Sequence, residues 1–190
     1  MLKDLIIKNR TYRRFFQDVQ IEENELLDLI ELARFSSTGS NLQQLKYILS
    51  NSEEKNQAIF EEIKWAAYLK DWDGPEEGEK PSAYIIMVVD KSISTNIYWN
   101  HGIACQSILL GAVEKGYGGC MFGNFNKDKL KEKLNIPDRY EILLVIALGK
   151  PKEKVVLVDM PANGDVRYWR DENGIHYVPK RSLDDLILKI

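Results

Sequence analysis

Two stretches constrain this chain more than any others. Ala83-Tyr-Ile-Ile-Met-Val-Val89 and Tyr140-Glu-Ile-Leu-Leu-Val-Ile-Ala-Leu148 are near-continuous apolar runs rich in β-branched residues. A strand with one wet face alternates apolar and polar side chains, whereas a run of this kind belongs to a strand covered on both faces. Between them, Ala104, Cys105, Ile108, Leu109, Ala112 and Val113 repeat at helical spacing over 102–115, and Ile103 and Leu110 carry the apolar surface almost all the way round. Such a helix has to be buried, either in the core or against another subunit.

The remaining elements are shorter. Leu2, Leu5 and Ile6 predict a first helix ending near Lys8. Leu26, Leu29, Ile30 and Ala33 form one face of a second helix over 22–34, with acidic residues in its first turn where they complement the helix dipole. The spacing predicts a strand over 46–49, a helix over 56–69, a short helix over 127–134 and a strand over 155–158. A hairpin is expected over 166–178, turning at Asn173-Gly174, and the chain closes on a helix capped by Ser182. With 190 residues and 44% hydrophobic content the chain reads as one domain over 1–190. Residues 65–82 are expected to bound a lid, with Trp65, Tyr68 and Trp72 as large aromatic surfaces, and 150–190 to be a C-terminal extension.

Charge and cysteine content exclude several classes. A net charge of -3 supplies no field to draw the protein to nucleic acid or to an anionic membrane, so any anion site is local. The two cysteines, Cys105 and Cys120, make neither a disulfide framework nor a zinc motif. Charges break up the N-terminal segment, and no stretch reaches the roughly 20 apolar residues of a membrane span. A cytoplasmic location is the expectation. His101 and His176 sit in no nucleophile elbow, and the sequence presents no metal-ligand set.

Chemistry concentrates in four places. Asn9-Arg-Thr-Tyr-Arg-Arg-Phe15 packs three arginines into five residues beside a hydroxyl and aromatics, a donor cluster suited to a planar, phosphorylated ligand. Taken alone, such a run also fits a solvated face. Ser37-Thr-Gly-Ser-Asn-Leu-Gln43 presents hydroxyls and amides just before a strand, as a loop that can line a site. Gly116-Tyr-Gly-Gly-Cys-Met-Phe-Gly123 has four glycines in eight residues, which frees the backbone for close approach, although helix termination accounts for such a run as well. It follows a helix instead of opening one, so it is not a dinucleotide fingerprint. Lys180-Arg181 is a basic element near the end of the chain.

In their order these stretches resemble the FMN-dependent nitroreductase superfamily. Residues 9–15 resemble its Arg-Arg-Ser-x-Arg-x-Phe signature, 37–43 its Pro-Ser-x-x-Asn-x-Gln loop, 102–115 its central interface helix and 116–123 its glycine turn beside the flavin. Leu143–Gly149 resembles its strand ending in Gly-Lys-Pro, and 179–183 its C-terminal basic element. Asn9 stands where the family often has an arginine, and Ser37 and Gln44 stand where prolines are usual.

The resemblance implies an α+β nitroreductase-like fold, with a central mixed, mainly antiparallel sheet flanked by helices in an intertwined homodimer. It implies two FMN sites built from both chains and NAD(P)H as electron donor. A nitroaromatic, quinone or similar small organic acceptor would be reduced by a ping-pong hydride mechanism. Arg10 and Thr11 fall at the phosphate end of the cofactor and Arg13 at the pyrimidine edge, with Tyr12 a further cofactor contact and Lys180 and Arg181 closing over the phosphate. Thr38, Gly39, Asn41 and Gln43 would reach the ring from the partner subunit, with Ser37 a further cofactor contact, and the backbone of Gly119, Cys120 and Met121 would face it. Arg14 is expected to be a surface charge. The same resemblance admits a specialised flavin reaction, of dehalogenating or flavin-fragmenting type, or a flavin-binding protein without turnover.

Overall fold

The computed structural model describes residues 1–69 and 71–189. Lys70, within the expected lid over 65–82, lies outside the described residues. The central sheet is organised on the 12-residue strand β5 (Tyr140–Pro151). One edge of β5 pairs with β3 (Ala83–Asp90), which pairs in turn with β2 (Leu45–Ser50). β4 (Gly118–Phe122) and the two-residue β1 (Phe15–Phe16) pair with its C-terminal half. All these ladders are antiparallel, in keeping with the mainly antiparallel sheet expected, and a parallel contact at its edge is the bridge from Thr11 to Gly119. A parallel ladder lies in a second, three-stranded sheet, where β6 (Val155–Asp159) runs beside β8 (His176–Lys180) and β7 (Trp169–Arg170) pairs antiparallel with β8.

Every residue of β3 is buried, and the two faces go to different cores. Ile85 and Met87 join Ile146 and Leu148 beneath α2 (Glu23–Phe35) and α4 (Asn100–Glu114). Tyr84, Ile86 and Val88 join Val145, Ala147 and Phe122 on the opposite face, against Ile59 of α3 (Glu53–Phe60) and Leu130 of α5 (Lys127–Lys133). This double coverage is why the run carries no polar alternation. α2 and α4 touch at Gly111, where a Cβ would lie 2.3 Å from Leu32 Cδ1. The first helix, α1 (Leu2–Lys8), has no buried residue and ends just before the arginine stretch. At the other end α6 (Leu183–Leu186) carries a reciprocal cap, in which Ser182 Oγ accepts from the Asp185 amide at 3.2 Å.

One helix departs from its expected length. The apolar spacing predicts α3 to Leu69, but it stops at Phe60 because the backbone beyond it pairs elsewhere. Ile63 bridges Phe125, and the Lys64 amide donates to the Asn124 carbonyl at 3.1 Å. Trp65 then packs edge-on against Phe122 and Trp72. Tertiary pairing overrides the helical pattern here.

Candidate active site

The arginine stretch runs alongside β4. Thr11 bridges Gly119 in parallel, and the Tyr12 amide donates to the Gly119 carbonyl at 3.0 Å. A Cβ on Gly119 would meet the Ala147 carbonyl at 2.6 Å and Leu109 at 2.7 Å. The glycine is thus demanded by the sheet and by α4. The Tyr12 ring lies over Gly118 and its hydroxyl donates to the Lys8 carbonyl.

The three arginines then separate. Arg14 turns to Glu79, donating through Nη2 at 2.6 Å, and Lys152 reaches the same carboxylate at 3.0 Å. The Arg14 hydrogen bond holds Glu79 far below the usual carboxylate range, at about 2. Arg14 is therefore a structural ion-pair residue, half-buried, and not the free surface charge that was expected. Arg10 and Arg13 face a cavity of about 260 Å³.

That cavity is walled by four elements. Asn9, Arg10, Thr11 and Arg13 come from the N-terminal stretch, Gln106 and Leu109 from α4, and Gly119 and Met121 from β4. The C-terminal segment contributes Tyr168, His176, Val178 and Lys180. Among the described residues the cations in this wall are Arg10, Arg13 and Lys180, and no carboxylate lines it. Arg10 Nε is buried with no partner among the described residues. The Arg13 guanidinium lies over the Tyr168 ring at 4.7 Å, an arrangement that favours a fixed cation.

Behind the wall sits Glu153, whose side chain is fully buried. It accepts from the backbone amides of Arg13 and Arg14 and pairs with Arg170 at 2.8 Å, which fixes the stretch against the small sheet. His176 is 1% exposed, its Nδ1 stands 3.8 Å from Glu153, and neither ring nitrogen has a hydrogen-bond partner among the described residues. Burial, then Arg13 and Arg170, depress it to about 4, so the imidazole is neutral near pH 7.

The expected site residues divide into two groups. Arg10, Thr11, Arg13, Gly119, Met121 and Lys180 meet at this cavity. Tyr12 supports it from behind, and Arg181 is exposed beside Lys180 and outside the wall. Cys120 turns away into the core facing α3 and α5, where burial pushes its thiol up to about 12, so only its backbone is disposed toward the cavity side. The polar loop lies elsewhere. Gly39–Asn41 form a short 3-10 turn, with positive φ at Ser40, Asn41 and Gln43, and the Gly39 amide donates to Asn100 Oδ1 at 2.8 Å. Ser37, Thr38 and Gln43 line a separate cavity of about 230 Å³ between α2, β2 and α4. A single chain does not bring that loop to the arginines.

Sequence reasoning missed Tyr168, Gln106, Glu153 and His176. A signal was present for the last. In the hairpin set by Asn173-Gly174, His176, Val178 and Lys180 share one face of β8 by simple alternation. Nothing in the sequence marked Glu153, because a buried acid and a surface acid look alike until their neighbours are known.

The profile of the Nitroreductase family matches residues 6–150. The chain belongs to the nitroreductase family. YodC of Bacillus subtilis, provisionally named an NAD(P)H nitroreductase, is 23% identical over 177 residues, covering 77% of this chain and 88% of the relative. A nitroreductase family protein of Clostridium novyi NT superposes with a TM-score of 0.66 at 26% identity, covering 80% of this chain and 87% of that one. An FMN-dependent nitroreductase of Clostridium difficile R20291 shares the fold with a TM-score of 0.64 at 22% identity, over 79% and 87%. The nitroreductase fold is therefore established, and the family match ends three residues before Glu153. Tyr168, His176 and Lys180 also lie beyond it.

Proposed function

We propose that this nitroreductase family protein is an FMN-dependent NAD(P)H oxidoreductase that reduces a nitroaromatic, quinone or similar small organic acceptor with ping-pong kinetics. The observation that carries the reading is the convergence of Arg10, Arg13 and Lys180 on one cavity with no carboxylate among the described residues of its wall. Arg10 and His176 both line it, and Arg10 Nε and both His176 nitrogens are buried without a partner among the described residues, so the donor set fits an anionic group with a polar edge. The names of the relatives supply the support for FMN and NAD(P)H.

Bound FMN supplies hydride acceptance and return, the chemistry for which the chain offers no side chain of its own. Arg10, Thr11 and Lys180 would hold the phosphate. Arg13, fixed over Tyr168 and anchored through its amide by Glu153, would place a positive charge at the ring's pyrimidine edge, where reduction deposits negative charge. Leu109 and Met121 keep part of the wall apolar and limit water.

The protein is read as a homodimer. Leu2, Ile6, Leu27, Leu32, Phe35, Trp99 and Ile103 are exposed apolar residues on or beside α1, α2 and α4, a set large enough to suggest that a partner covers it. In a dimer the partner's loop at 37–43 would complete the cavity's open side. The test is anaerobic. Purified protein should carry yellow cofactor that NADH or NADPH bleaches and an acceptor restores, with a solution mass twice the 22.0 kDa of the chain. Failure to bind FMN sinks the reading, and binding without bleaching reduces it to flavin storage.

A further inference from the structure

The C-terminal sheet does more than close the cavity. His176, Val178 and Lys180 alternate along β8 and all three face the cavity. At about 3.3 Å per residue, His176 and Lys180 stand about 13 Å apart along the strand. That separation is comparable to the reach from a phosphate, along a ribityl chain, to the far edge of the attached ring.

The two ends differ in chemistry. Lys180 offers a compact cation on a flexible stem. His176 offers a neutral donor and acceptor, buried to 1% exposure with both nitrogens unpartnered among the described residues. A buried polar group in that condition points to a ligand atom that completes it. Its surroundings are rigid. The imidazole lies 5.1 Å from the Tyr168 ring, Tyr168 lies under Arg13, and Glu153 holds both Arg13 and Arg170. His176 and Arg13 are thus placed to meet the same end of a ligand whose other end reaches Lys180.

Resting on the flavin reading above, we propose that β8 spans the cofactor, with Lys180 at its phosphate and His176 hydrogen-bonded to the polar edge of its ring. His176 is then a cofactor-contacting residue, supplied by the same chain as Arg13 and lying outside the stretch that the family profile matches.

Titrations with FMN and with riboflavin separate the two ends. Lys180→Ala should reduce the preference for FMN over riboflavin, with Arg10 and Thr11 still at the phosphate. His176→Leu should weaken both flavins equally, about three- to tenfold, as expected for one lost hydrogen bond. It should also lower the bound flavin's reduction potential, and His176→Gln should recover part of both effects. Unchanged affinity and potential in His176→Leu overturn the proposal, as does an effect confined to FMN, which would put His176 at the phosphate. If the wild type binds neither flavin, the reading of the site falls as well.

A measurement on the wild type covers the case in which His176→Leu does not fold. The chain has two histidines, so 15N-labelled imidazole spectra are simple, and His101→Gln assigns them. The His176 nitrogens should shift on adding FMN and on adding riboflavin. Spectra that stay still through saturation with either flavin overturn the contact.

Discussion

At the scale of single residues, chemically identical side chains take different tasks according to what stands opposite. Arg14 and Arg13 are neighbours, yet Arg14 meets Glu79 while Arg13 faces an aromatic ring and a cavity. A guanidinium spent on a carboxylate has its donors occupied, and one resting on a ring keeps them for a ligand. Arg13→Ala should therefore lower the reduction potential of bound flavin and slow hydride uptake about a hundredfold, the scale of losing one fixed charge stabiliser. Anaerobic stopped-flow and a potentiometric titration measure the two quantities, and unchanged values for both would remove the role assigned to Arg13.

At the scale of elements, the acidic run 71–82 is tied down more firmly than its composition suggests. The Phe15 amide donates to the Glu79 carbonyl, Gln17 Oε1 accepts from the amides of Gly78 and Lys80, and the Glu79 side chain holds Arg14 and Lys152. The segment braces the site from outside through Arg14. Glu79→Gln removes the charge and keeps the shape. Hydrogen exchange at the Phe15 and Gln17 amides should then quicken several-fold, with α4 unaffected. Equal exchange in both proteins would show that the backbone hydrogen bonds hold this run without the ion pair.

At the scale of the whole molecule, buried titratable groups set the response to acid. His176 titrates near 6.5 when unfolded and at about 4 in the fold, so between those values the unfolded chain binds a proton that the folded one refuses. Stability is complete above about 6.5 and falls as the pH drops toward 4. Glu79, lowered from 4.5 to about 2, adds a further loss below 4.5. Denaturant midpoints of the wild type should decline across both windows. His176→Gln should flatten the upper window alone, and a wild-type curve already flat between 6.5 and 4 would contradict the buried neutral histidine.

Much of the layout was legible beforehand. Apolar runs at 83–89 and 140–148 read as strands covered on both faces, and the helix at 102–115 buries its Ala104, Cys105, Ile108, Leu109 and Ala112 face while Ile103 stays exposed, because burying apolar surface is the dominant driving force. The basic stretch, the glycine turn and Lys180 were visible because their chemistry is local. What required the tertiary structure was pairing. Ile63 with Phe125 ended α3 early, and β6 pairs parallel with β8 in a sheet of its own. Glu153, read from sequence as one acid among many, became the buried anchor of Arg13, and His176, set aside as a lone histidine, became part of the cavity wall. Side-chain type and spacing are properties of the chain, and they determined which segments had to be buried and which carried charge. Burial and the identity of a neighbour across space exist only once the chain has closed on itself, and they decided which charges were spent on each other and which were left facing the cavity.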